Sequence, residues 1–253
     1  MGLAISALLE TFREAPDYKR LVEATAGSQP LITGLSGSQK SLYVAALADD
    51  PPGGRHFPAI VLTATQYQAE RWHQDLATLL SDERVLLFPN PETHPHEEVL
   101  PDIKVQKERM AALMSLAAGE PVVVVAPVQA VATKLVPPEV FARYQLEIRV
   151  GQRLDLAQVV ESLQEMGYER VSKVETPGEF SVRGGILDVF PVTVEEPFRV
   201  DLFDDEVDSI RRFEPASQRS KEEVDFLLLG PAREFLFEKE RVEEAVEAMT
   251  DAA

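Results

Sequence analysis

An α/β protein is expected: a parallel-sheet domain over residues 1–146, a smaller α+β domain over 147–232, and a C-terminal helix over 233–253 that returns to the first domain. Three observations predict it. Up to about residue 134, short unbroken apolar runs alternate with helix-period segments, as when helices cover both faces of a parallel sheet. A glycine-rich loop follows the first apolar run, where such sheets place a phosphate site. After about residue 147 the apolar period falls to two, the mark of half-buried antiparallel strands.

The elements follow in order. "MGLAISALLETFREAP" reads as an amphipathic helix, although Met1-Gly2-x-x-x-Ser6 has the form of an acylation signal. "PLITGL" (30–35) is the first candidate strand and "FPAIVLTAT" (57–65) the second. "QYQAERWHQDLATLL" then sets Ala69, Trp72, Leu76 and Leu79 on one helical face. "RVLLFP" is a third strand, "IKVQKERMAALMSLAAG" a helix ended by Gly119, and "PVVVVAP" a fully apolar strand. In "DLAQVVESLQEMG", Asp155 caps a helix, with Gln158 three residues on, and Gly167 ends it. "EFSVRGGILDVFP" and "FRVDLFDDEVDSIRRF" are strand pairs, the first turning at Gly184-Gly185. In "KERVEEAVEAMTDAA", Val242, Ala245, Val246 and Met249 form one stripe that needs a surface to cover it.

Composition restricts the function. The 253 residues carry a net charge of −18, with 13 basic and 18 acidic side chains in residues 1–150 but 12 and 25 in residues 151–253. So acidic a surface repels nucleic acid phosphates, making any DNA role indirect. The absence of cysteine excludes disulfides and thiolate metal sites and fits a reducing cytoplasm. No apolar run has the length of a membrane span, so no membrane partner is expected.

"GLSGSQKS" approaches the phosphate-binding pattern G-x-x-x-x-G-K-[ST]. Gly34, Lys40 and Ser41 are in place, but Gln39 stands where the second glycine belongs. Its side chain enters a loop whose backbone must approach phosphate closely. No acidic metal partner follows the best buried strand, which continues into Ala126 and Pro127. The expectation is a P-loop-NTPase-like scaffold without a tight nucleotide site, and no bound cofactor. His94 and His96, beside Glu97 and Glu98, lack a third ligand at a metal spacing and read as a polar loop. "DLFDDEVDS" lacks the glycine and terminal glutamate of a calcium loop and reads as a solvated hairpin. No catalytic residue and no metal ligand is assigned.

Several stretches support a family resemblance. Tyr168, Arg170, Gly178 to Phe180, Arg183-Gly184, Asp188 to Pro191 and Phe203 to Glu206 resemble the segment shared by the excision-repair protein UvrB and the bacterial transcription-repair coupling factor. "GLSGSQKSLYVAAL" resembles the coupling factor's degenerate loop. "FPNPETHPHEEVLPD" resembles its W-E-T-L-P-type segment, with Pro91 where Trp is common. The spoiled loop, and a 91–110 region too short and lacking the tyrosines of a DNA-inserting hairpin, favour the coupling factor's N-terminal module over UvrB. The resemblance implies domains like UvrB domains 1a and 2. It implies a non-catalytic, autoinhibitory module that recruits UvrA through Arg170 and Arg183. RNA polymerase, DNA and ATP-driven translocation would belong to the full-length protein, whose missing C-terminal part would contact this module. The alternatives are a weak ATP-binding or hydrolysing protein and a UvrB-like binder of damaged DNA. Alternation puts Phe180 and Val182 in the core and Arg183 on the open face, within reach of Arg170. A purely internal role would pair these arginines with Glu169, Glu175 or Glu179.

Overall fold

The computed structural model describes residues 2–25, 29–54, 56, 58–91 and 102–234. The chain forms two compact units, Met1–Val99 with Ala111–Thr133, and Leu100–Met110 with Lys134–Ala253. It is a mixed α/β protein with one parallel sheet and two others. The histidine loop around His94 and His96 and the C-terminal helix over 233–253, from residue 235 on, lie outside the described residues.

The first unit opens with helices α1 (Gly2–Arg13) and α2 (Pro16–Thr25). Pro16 starts α2 well, because the N–H it lacks would have no helical partner there. Then come α3 (Gln39–Asp49), β1 (Ala59–Thr63), α4 (Gln66–Leu79), β2 (Val85–Leu87), α5 (Ile103–Ala117), β3 (Val123–Pro127) and α6 (Val128–Val131). Residues 103–110 of α5 belong to the second unit and the remainder to the first. β1 and β2 both pair with β3 in parallel, in the order β1-β3-β2.

Every β3 residue is buried, which explains its unbroken apolar sequence. Val123 and Val125 join a cluster with Ala45, Ala69 and Leu76; Val124 and Ala126 join another with Phe88, Ala112 and Ala130. A strand covered on both faces has no position for a polar residue. Helix α4 starts where Thr65 accepts a hydrogen bond from the Gln68 N–H. Asp49, at the end of α3, is gripped by Arg13 (2.5 Å) and Arg84 (2.7 Å). Burial opposes its charge, but the hydrogen bonds from Arg84 and Arg13 outweigh that and hold its carboxyl below the usual range.

The expected strand over 30–35 does not form. Residues 29–36 carry no strand, and Leu31 and Ile32 are 89% and 44% exposed. Apolar sequence and β propensity do not suffice where no neighbouring ladder accepts the backbone.

In the second unit, α7 (Pro138–Arg143) and β4 (Leu146–Arg149) precede α8 (Leu156–Glu165). Asp155 caps α8 by accepting from the N–H groups of Ala157 and Gln158, and Gly167 ends it in a left-handed conformation, φ 84°. There follow β5 (Glu169–Arg170), β6 (Glu179–Arg183), β7 (Ile186–Val189), β8 (Phe198–Phe203), β9 (Glu206–Phe213), β10 (Ser220–Val224) and β11 (Phe226–Leu229). Six of them form a sheet in the order β10-β9-β8-β7-β6-β5, antiparallel except for the β5–β6 pair. β4 and β11 form a separate antiparallel pair.

One face of the six-stranded sheet buries Phe180, Leu187, Val189, Val200 and Ile210. Tyr168 is buried and donates to the Gly230 carbonyl at 3.0 Å; burial pushes its phenol up. Arg109 on α5 is 1% exposed and grips Glu234 through two hydrogen bonds of 2.5 and 2.7 Å. The chain is thereby tied down after β11.

Candidate protein-interaction site

Two sites were expected, and the structure gives them different characters. The first is the loop from Gly34 to Ser41. Gly34 and Gly37 have φ of 81° and 52°, so the loop keeps the left-handed bends that its glycines permit. Neither glycine has another atom within 4 Å of a notional Cβ. The Gln39 Oε1 accepts the Ser36 N–H at 3.1 Å, occupying a loop donor of the kind a phosphate would use.

Ser41 is buried, and its hydroxyl donates to the Asp75 carboxylate on α4 at 3.1 Å. The hydroxyl that would hold magnesium in a working loop is turned toward the core. Lys40 is exposed. A cleft of about 830 Å³ between α2 and residues 30–35 is lined by Arg20, Leu21, Ile32 and Tyr43, but by none of Gln39, Lys40 or Ser41. Among the described residues no three His, Cys, Asp or Glu side chains are grouped to hold a metal.

The second site is the sheet face carrying Arg183. Register fixes its membership. Ser181 pairs with Asp188, Arg183 with Ile186, Asp188 with Arg199, Arg199 with Arg211, and Asp201 with Ser209. All therefore project from the face opposite Phe180. At its centre Asp188 is 1% exposed. Arg199 takes both Asp188 oxygens, Nε at 2.7 Å and Nη2 at 2.8 Å, while lying over the Phe213 ring at 4.8 Å. Asp188 in turn holds the Arg199 proton more tightly than usual. Arg183 Nη2 shares Asp188 Oδ2 at 2.8 Å, with 54% of its side chain still exposed. Farther across the sheet, Arg211 bonds Asp201 and Glu223.

Arg183 is thus exposed but anchored. Its partner is Asp188, not Glu169, Glu175 or Glu179. The Glu179 carboxylate is taken by the N–H groups of Glu175 and Thr176, and Glu175 also bonds Lys173. That hydrogen bond to Asp188 uses one of the five guanidinium donors.

The face is also less open than strand alternation implies. Ser181 is 2% exposed, whereas Val182, expected in the core, is half-buried. The reason is the segment after β5: Val174 packs with Phe190 and Phe213, and the Ser172 carbonyl accepts from Ser181. Arg170 stands elsewhere. It pairs with Phe180, which places it on the opposite side of the pleat from Arg183 and three positions back along β6, roughly 10 Å. It is exposed on the sheet's outermost strand, with no hydrogen bond or ion pair to a described residue. The two arginines flank the β5–β6 edge and do not share a face.

Sequence reading overlooked Asp188 and Arg199. A signal was present: a lone acid inside the apolar run "ILDVF" cannot be buried without a cation. Its partner's identity depended on β7–β8 pairing.

This arrangement can bind a partner's carboxylates. Residues 146–235 match the UvrB interaction domain family. Over 242 residues the chain is 38% identical to a transcription-repair-coupling factor of Bacillus subtilis (strain 168), covering 94% of this chain and 20% of that protein. With one from Staphylococcus aureus (strain USA300) it shares 30% identity over 248 residues, 98% of this chain and 21% of the relative. The chain thus spans about a fifth of the curated relatives it matches.

Proposed function

We infer that this chain, which belongs with the transcription-repair-coupling factors and carries a UvrB interaction domain over residues 146–235, is their N-terminal module for recruiting UvrA in nucleotide excision repair. The observation that carries the reading is Arg183, held by a buried carboxylate with 54% of its side chain exposed. Charge-assisted and bidentate pairing with a partner's acids is the recognition such a group provides. Residues 1–146 act as a P-loop-NTPase-like scaffold and residues 147–232 as the contact domain. The two domains correspond to UvrB domains 1a and 2. The module is non-catalytic. Work on RNA polymerase and DNA, with any ATP-driven movement, belongs to the remaining four-fifths of the longer protein in the cytoplasm. Part of that remainder masks the UvrA face until it is needed.

UvrA affinity of the purified chain tests this. Arg170→Ala and Arg183→Ala should each weaken binding by about 1–3 kcal/mol, and Arg183→Glu by more, because an acid then faces the partner's acids. Unfolding midpoints should stay within about 0.5 kcal/mol of wild type, as both side chains are exposed. Unchanged affinity in a folded Arg170→Ala/Arg183→Ala variant rejects the assignment.

A weak nucleotide-binding reading rests on Lys40 and the loop's retained bends. It predicts that Gln39→Gly, by freeing the Ser36 N–H, raises Mg-ATP affinity in calorimetry. We expect no gain, since Ser41 stays bonded to Asp75. Micromolar binding by wild type or variant would favour the nucleotide reading.

A further inference from the structure

We propose that Phe203 is the apolar anchor of the UvrA contact, acting beside Arg183 across the tip of the β6–β7 hairpin. The inference rests on the UvrA reading above and adds a residue, and a partner chemistry, that Arg183 alone does not supply. Phe203 is the last residue of β8 and is 82% exposed. Along β8 it alternates with Val200 and Leu202, so it projects with Arg199 and Asp201 on the face that carries Arg183. Asp201 pairs with Ile186, and Ile186 with Arg183. Two positions past Asp201, Phe203 therefore stands beside the Gly184-Gly185 turn, with Arg183 on its far side.

A single exposed phenylalanine is ordinary on a protein surface. The backbone that carries this one is fastened on both sides. The Leu202 N–H donates to the Gly185 carbonyl at 2.8 Å, and a Cβ on Gly185 would stand 2.9 Å from the Leu202 oxygen. The end of β8 is therefore fastened to the turn at a closeness only glycine permits. From the other side, Arg153 pairs with Asp205 at 3.5 Å and bridges to Glu206, and the Leu154 N–H donates to the Asp205 carbonyl at 2.7 Å. The strand ends that carry an aromatic ring and a guanidinium are thus fixed relative to each other, leaving little backbone freedom to lose on docking. Aromatic residues and arginine are the types enriched in interface centres.

The flanking charges describe the partner. Arg183 lies on one side of Phe203; Asp204, Asp205 and Glu206 lie on the other. The matching protein surface has an apolar pocket with a carboxylate at the Arg183 side and a basic group at the Asp204 side.

Titration of purified UvrA against the full chain and its variants tests the proposal. Phe203→Ala should weaken binding at least about tenfold without shifting the unfolding midpoint, since the ring is exposed. Phe203→Leu should recover most of the loss. Phe226→Ala, which removes another exposed phenylalanine on the β4–β11 pair, should leave affinity unchanged. Combining Phe203→Ala with Arg183→Ala should cost less than the product of the single losses, as for residues filling one docking site. Wild-type binding that survives Phe203→Ala overturns this inference and leaves the UvrA reading standing. No binding by wild type overturns both. A self-association of the free chain that Phe203→Ala abolishes, with UvrA affinity unchanged, assigns the ring to contacts between copies and also overturns it.

Discussion

Glu234→Ala should destabilise the second unit by about 3–5 kcal/mol, the usual cost of stripping one partner from a buried ion pair. Arg109 is 1% exposed, and both Glu234 oxygens meet its guanidinium. Arginine cannot escape by losing its proton, so removing the acid takes two charge-assisted hydrogen bonds from a buried cation. Against a total stability of about 5–15 kcal/mol this is severe. Chemical denaturation monitored by circular dichroism would read it directly. Glu234→Gln should cost less, because one oxygen remains to accept. The double replacement Arg109→Met/Glu234→Leu should recover most of the loss, since apolar pairs of similar volume replace buried ion pairs without penalty. A loss under about 1 kcal/mol for Glu234→Ala would show that the Glu234 contact contributes little to holding Arg109. The pair matters beyond stability: with Gln106, which donates to the Ala232 carbonyl at 2.6 Å, it fixes the path of the chain after β11.

Asp188→Ala should cost about 2–4 kcal/mol and weaken UvrA binding as well. Its carboxylate is the shared acceptor of Arg199 and Arg183 on a buried stretch of β7. Without it, Arg199 keeps its stacking on Phe213 but loses two charge-assisted hydrogen bonds, and Arg183 loses the contact that holds it in place. Arg183→Ala provides the contrast. It leaves the Asp188–Arg199 pair intact, so it should impair binding with almost no change in stability. Asp188→Asn, which preserves shape and one acceptor, should fall between the two. Should Asp188→Ala prove as stable as wild type, the central ion cluster contributes nothing net, and Arg183 is positioned by its strand alone.

Much of the architecture was legible because local rules and tertiary environment agree. The all-valine run of β3 announced a strand covered on both faces, and two clusters cover it. Asp155 and Gly167 bounded α8 because capping is satisfied within a few residues. The spoiled loop was visible at Gln39, but its effect was not. The added side chain was evident from the letter, whereas its acceptance of the Ser36 N–H was not. The strand expected over 30–35 failed for a related reason, since its ladder partner is not a property of those six residues.

By itself the sequence determined which segments are apolar, where α8 begins and ends, the acidic character, the damaged phosphate motif and the motifs shared with the repair proteins. These follow from residue identity at short spacing. Tertiary structure alone decided that Asp188 is the acid that holds Arg183, that Ser41 faces Asp75, that Arg170 and Arg183 flank the β5–β6 edge rather than sharing a face, and that Arg109 meets Glu234. Each depends on strand register or on a pairing between residues up to 125 positions apart. A one-residue change of register would send every side chain of a strand to the other face without altering a letter of its local pattern.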